Sequence, residues 1–236
     1  MKRNLLIIIL LGCITTSFAQ RNRTHRVVEQ LPDFDNQAVH WGYYLGFNKY
    51  DFLFNYNQTP EGGGETLVDA GMGFNVGLIG NLRLSDYLDL RLEPGLYYTK
   101  RTLNYQDPAL LGDDAIRETN SSYIHVPLLL KASAKRWGNV KPYLVGGFST
   151  SLNLGSKENS IDDNSAGVFR MKKNTYYYEI GFGIDFYTPT FKFSPSIRGV
   201  FALNNEMVKD IDPDSPWTGN INTMKTRGVF INFTFE

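Results

Sequence analysis

Cysteine is nearly missing from this chain of 236 residues: the single one is Cys13, close to the N-terminus. Past that point there is no disulfide and no thiol chemistry, so an exported domain has to be held by a large hydrogen-bonded core or by lipid. Charge of one sign is not in excess either. The 24 Lys and Arg residues match 24 Asp and Glu, for a net charge of +0, which argues against a nucleic-acid binder. Histidine is scarce, with only His25, His40 and His125. After the N-terminal leader no apolar run reaches the roughly 18 residues of a membrane-spanning helix. Two classes remain: a soluble exported domain, or a membrane β-barrel, whose signal is much weaker per segment.

The leader reads as a secretory signal. Lys2 and Arg3 form a charged start, Leu5 to Leu11 an apolar run, and Ser17-Phe18-Ala19 a small-residue cleavage site. Residues 1–19 are therefore expected to be removed, leaving a polar periplasmic tail over 20–38. A weaker reading makes Cys13 a lipidated residue, but Leu11 stands where a lipoprotein box wants a small side chain.

What is plentiful is aromatic residues (14%) and glycine (22 residues), which suit strands, tight turns and crowded interior positions. From Val39 the pattern has period two. Between Gly71 and Ser85, Met72, Phe74, Val76, Leu78, Leu82 and Leu84 share one face, and Gly73, Asn75, Gly77, Asn81 and Arg83 the other. Similar two-sided segments follow around 88–99, 124–133, 141–152, 176–186, 191–203 and 228–235. The first, from Trp41, is noisier, and its phase slips near Lys49, where a bulge or a change of face is expected. The total is eight segments, in most cases long enough for the roughly 9–11 residues of a tilted membrane strand.

Links near Asp86, Gly138 and Pro189 are short. Those at about 57–70, 105–121, 153–174 and 204–225 are long and polar. Such alternation is the pattern of outer-membrane barrels, with short periplasmic turns and long outer loops. The expected fold is all-β: an eight-stranded antiparallel up-and-down transmembrane barrel over 39–236, with both ends periplasmic. Trp41, Tyr87, Trp137 and Tyr187 fall at the short-turn end, and Tyr98, Tyr176 and Tyr178 towards the long loops, as two interfacial girdles would.

The non-apolar face carries glycines and mid-strand charges: Arg91, Glu93, Lys131, Glu179, Asp185 and Arg198. Charges at mid-depth facing lipid cost roughly 2–4 kcal/mol each, and a ring of eight strands is just wide enough for side chains to fill. These six are expected inside, as a structural ion network that plugs the barrel. The expected partners are outer-membrane lipid and other proteins, with no cofactor, metal, nucleic acid or small-molecule substrate.

Motifs for chemistry are thin. His125 with Ser122 or Ser151 is the nearest approach to a rim catalytic site. Asp210, Asp212 and Asp214 have the 1-3-5 spacing of a calcium loop, but Ser215 and Ile221 stand where Gly and Glu are required. Gly62-Gly63-Gly64 lacks the lysine of a phosphate loop. The last strand ends Phe233-Thr234-Phe235-Glu236, near-aromatic as insertion machinery expects, yet with a terminal Glu.

Leu90-Arg91-Leu92-Glu93-Pro94-Gly95-Leu96, Tyr123-Ile124-His125-Val126-Pro127-Leu128-Leu129-Leu130-Lys131 and Pro142-Tyr143-Leu144 with Gly146-Gly147 resemble the outer-membrane β-barrel family abundant in Bacteroidetes. Within it, Leu31-Pro32-Asp33-Phe34-Asp35 and His40-Trp41-Gly42-Tyr43-Tyr44-Leu45-Gly46-Phe47-Asn48 resemble the PorT (SprT) proteins of the type IX secretion system. The resemblance implies a non-enzymatic accessory or assembly role in exporting cargo and gliding adhesins, with other secretion-system proteins as its partners. The alternative is a structural or adhesive barrel with surface-binding loops.

Overall fold

A computed structural model describes residues 28–58, 65–107, 110 and 112–236. The leader with Cys13, His25 and Gly62-Gly63-Gly64 lie outside the described residues. Ten antiparallel strands are present: β1 (Val39–Tyr56), β2 (Thr66–Ala70), β3 (Met72–Arg83), β4 (Leu88–Leu92), β5 (Gly95–Tyr105), β6 (Ile116–Ser133), β7 (Val140–Asn153), β8 (Asn174–Tyr187), β9 (Lys192–Ala202) and β10 (Ile221–Phe235). β2 and β3 form one arm of the ring, interrupted at Gly71. β4 and β5 form the next, interrupted at Glu93-Pro94, where proline has no N–H for the ladder. The ring therefore has eight positions.

Each neighbour in sequence is a neighbour in space, and β1 closes the ring. It pairs with β10 from Tyr43 opposite Phe235 to Tyr56 opposite Ile221, and with β3 from Val39 opposite Leu82 to Lys49 opposite Met72. Closure removes the sheet edges over that height.

Strand side chains alternate across the wall. Leu45, Phe74, Leu78, Leu144, Phe148 and Phe182 point out and are at least half exposed. The alternate positions are interior and rich in charge, including Arg91, Lys131, Glu179 and Arg198. This is the inverse of a soluble barrel. An apolar outer belt around a charged inside is stable where lipid, and not water, surrounds the wall.

The belt ends short of the strand tips. Beyond Lys49 in β1, the wall shows Asp51 outside while Tyr50 and Phe52 turn in. At the same height Lys100, Glu118 and Arg227 are exposed. Phe52, Leu103, Tyr105, Met171, Met207, Ile221 and Met224 form an apolar cluster inside. Water solvates this end, so the usual inside-out preference of side chains returns.

Of the two alternatives expected near Lys49, the structure shows the change of face and not the bulge: the β1–β10 register runs unbroken to Asn55, and what changes is which face is apolar. One expectation is corrected: the strands reach further than their apolar belts. β2 occupies 66–70, β6 starts at Ile116 and β10 at Ile221, so the expected long links are shorter. Residues such as Arg117, Thr119 and Ser121 inside and Glu118 and Asn120 outside carry no apolar alternation to mark a strand.

Candidate functional site

The short-turn half of the interior is packed with ions. Arg91 pairs with Glu93 (3.0 Å) and with Glu236, and Arg198 bridges Glu93 (2.6 Å) and Glu179 (3.2 Å). Glu179 shares a 2.7 Å hydrogen bond with His125 Nε2, and His125 Nδ1 shares one of 2.5 Å with Ser151 Oγ. Beside this chain, Lys131 reaches both oxygens of Asp185 (2.6 and 2.9 Å), Ser194 donates to Asp185 (2.6 Å), and Lys192 pairs with Glu236 (2.6 Å). Four cations (Arg91, Lys131, Lys192, Arg198) thus face four carboxylates (Glu93, Glu179, Asp185, Glu236). Burial of charge is tolerated only with such pairing.

All six charged residues singled out from the sequence sit in this cluster. Sequence reasoning left out Lys192, Glu236 and His125. Lys192 shares the inner-face parity of its strand and was readable. Glu236 follows the last strand residue and reads as an oddity of the C-terminus, yet it neutralises Arg91 and Lys192.

Above the ions lies an aromatic layer of Tyr44, Tyr50, Tyr97, Tyr123, Tyr177 and Phe230. Tyr44 donates to the Glu93 carbonyl (3.2 Å), its ring set in a notch between the facing Gly77 and Gly95. A Cβ on either glycine would collide with that phenol, so the interior width here depends on the absence of side chains. Beside it, Asn75 Nδ2 donates to Asn232 Oδ1 (2.8 Å). Higher still, Arg101 donates to Tyr123 Oη (2.5 Å) and Thr226 Oγ1 (3.1 Å), with Phe52 stacked 3.9 Å from its guanidinium. The loop after β9 sends Glu206 inwards to accept from the N–H and hydroxyl of Thr226 (2.8 and 2.9 Å).

The short-turn end is covered by residues 28–38. A 3-10 turn (Phe34–Asn36) lays the Phe34 ring on His40, centroids 4.2 Å apart, with Lys192 on Phe34 at 4.5 Å. Asp35 accepts from Tyr187 Oη (2.7 Å) and meets Arg136 and Lys141, each at 3.4 Å. Burial alone would raise the Asp35 carboxyl. The Tyr187 hydrogen bond and the two cations outweigh it and hold Asp35 below the usual carboxylate range. Arg136 also donates to the Gln30 carbonyl. Residues 28–38, the described part of the expected 20–38 tail, form a fitted cap.

Trp41, Tyr87, Trp137, Tyr98, Tyr176 and Tyr178 are exposed on the outer wall. Tyr187 is a correction: it is 4% exposed and points inwards to Asp35, because its parity along β8 is that of Asp185. His125 is also misplaced by sequence. It lies mid-barrel, fully buried against Tyr97, Tyr177 and Phe230. Ser122 faces outwards. Ser151, His125 and Glu179 have the connectivity of a hydrolytic triad, but all three are sealed inside and brace the ion network. Asp210 accepts from Asn164 Nδ2 (3.0 Å), Ser215 Oγ (2.6 Å) and Thr218 Oγ1 (2.9 Å), tying the two longest loops together, while Asp212 and Asp214 are exposed.

The family model of the outer membrane protein beta-barrel domain matches residues 18–208. The chain belongs to that family and is an outer-membrane β-barrel protein. No protein of curated function matches its sequence. Among solved structures it is similar to the outer membrane protein OprG from Pseudomonas aeruginosa (12% identity, 84% of this chain and 95% of that one, TM-score 0.48). It is also similar to Neisserial surface protein A (12%, 84% and 98%, 0.44) and to Ail, the attachment invasion locus protein of Yersinia pestis (9%, 84% and 99%, 0.39).

Proposed function

We propose that this barrel is an accessory or assembly component of a type IX protein export machinery, of the PorT kind. Its short turns, cap and both chain ends would face the periplasm and its long loops the outside. The observation that carries this reading is where the PorT-like residues lie. Leu31-Pro32-Asp33-Phe34-Asp35 contributes the cap, fastened through Phe34 and Asp35 to His40, Arg136, Lys141 and Tyr187. A segment folded so closely offers a shaped underside on which a periplasmic protein can dock at low entropic cost. A filled interior agrees with a scaffold and not a conduit. In a strain lacking this protein, cargo is expected to accumulate in the periplasm. Normal cargo export in that strain would remove the reading.

A second reading, an adhesive or structural barrel, draws on the opposite end, where Asp210 knits the two longest loops into a firm surface. Loss of surface attachment with export intact would favour it.

A further inference from the structure

At the long-loop end, β6 outruns its neighbour β7. β6 begins at Ile116, but β7 stops at Asn153, opposite Tyr123. The last backbone contact is Leu154 N–H donating to the Ser122 carbonyl (2.8 Å). In an antiparallel pair, alternate residues turn both backbone groups to the same neighbour. Ser122 turns towards β7, so Asn120 and Glu118 turn that way too, while the β5 ladder continues on the other side to Ile116. Among the described residues no strand meets Glu118 or Asn120 on the β7 side. Their height is that of the exposed Lys100–Glu118 pair, beyond the lipid belt, where unpaired peptide groups are permitted.

The link after β7 stands opposite, and Gly155 and Phe169 face β6 across a cavity of about 200 Å³. That is the room of roughly six waters, too little for a further strand. The inner side carries Thr119, Ser121 and Asn153, all buried. Asn153 Oδ1 is fixed by accepting from the Gly155 N–H (3.0 Å). The Thr119 hydroxyl is buried without a hydrogen-bond partner, which in a native fold calls for a water or a ligand. Phe169 supplies one aromatic wall. At the mouth Glu118 and Lys157 are both exposed and opposite in sign, so the opening selects for no net charge.

We propose that this cavity binds a single neutral pyranose ring. A sugar hydroxyl has one donor and two acceptor positions. It can accept from a peptide N–H and donate to a peptide C=O, as the edge of Glu118 and Asn120 requires. A metal ion meets only the carbonyls, an inorganic anion only the N–H groups, and an acyl chain neither. Water satisfies such groups singly, whereas a ring with several hydroxyls at fixed spacing replaces several waters and keeps their hydrogen bonds. Its C–H face would cover Phe169, away from solvent. The cavity and the cap lie at opposite ends of the barrel, so the inference does not depend on the export reading.

The test uses the full mature protein in a detergent without a sugar headgroup. Binding of the methyl glycosides of glucose, galactose, mannose and N-acetylglucosamine is titrated by saturation-transfer difference NMR. Saturable binding of at least one is expected. A Cβ on Gly155 would lie at ordinary contact, 3.7 Å from the Asn120 carbonyl oxygen, so a side chain at this position is rooted without a clash. Gly155→Phe should fill the cavity and weaken binding by about tenfold or more, while Gly155→Ala should hold it within about twofold. Thr119→Val removes a hydroxyl that has no partner in the fold. Its unfolding midpoint should therefore hold while affinity falls by about fivefold. No binding of any of the four glycosides by the native protein would overturn the proposal, as would affinity left unchanged by Gly155→Phe or by Thr119→Val. Binding of tri-alanine, blocked by Gly155→Phe, with no glycoside bound, would overturn it in favour of a peptide.

Discussion

Among the described residues Arg198 is the only cation that touches both Glu93 and Glu179 (2.6 and 3.2 Å), and all three are buried. Replacing it by methionine keeps much of the volume but leaves two carboxylates short of a partner. Loss of one member of a buried ion pair costs about 3–5 kcal/mol, so Arg198→Met is expected to lower unfolding stability in lipid vesicles by that order, read by urea titration. An unchanged midpoint would show that the network is not needed for stability. At this scale the sequence was readable for a simple reason. A charge in the middle of an apolar period-two segment has one tolerable direction to point, and Arg91, Glu93, Lys131, Glu179, Asp185 and Arg198 all lie inside. Pairing was not readable, because partners such as Arg91 and Glu236 are 145 positions apart. Tyr187 shows the limit. Its type suits a girdle, and only its parity with Asp185 says that it faces in.

The cap illustrates what strand patterning cannot report. Residues 28–38 have no period, and their order comes from Asp35 meeting Tyr187, Arg136 and Lys141. Because the folded Asp35 carboxyl sits below its free value of about 3.9, its contribution to docking is fully present above that pH. It is lost as the pH falls through the lowered folded value. A fluorophore on a Gln37→Cys variant should therefore hold high anisotropy at neutral pH and lose it on acidification. With Asp35→Asn added, anisotropy should be lower at neutral pH and nearly flat with pH. A cap that stays ordered in acid would show that Asp35 is not its fastening. β1 makes the complementary point. Its sequence looks out of phase past Lys49, yet the strand continues straight. Hydrophobic pattern reports solvent as much as structure, and the solvent changes from lipid to water along this one element.

Across the whole molecule the ring of eight was legible because the number of apolar belts and the short–long alternation of links are each set by the membrane. The count held even though two arms are interrupted, at Gly71 and at Glu93-Pro94. The lack of a ladder between β1 and β2 among the described residues was not legible, since it depends on a one-residue shift in register at Gly71. The stacking of layers inside the ring carries the last consequence. Ions at the short-turn end, then the tyrosine layer, then Arg101 with Phe52 and Glu206 leave side chains such as Arg91, Tyr97, Arg101 and Tyr177 at most 2% exposed. An ion crossing would have to displace every layer, whereas a pore needs a continuous wet path. In planar bilayers the protein is expected to show no steady conductance steps. Deleting residues 28–38 removes only the cover, so the deletion variant should also stay silent. Stable steps in the full protein would mean that the layers part, and steps confined to the deletion variant would make the cap itself the seal.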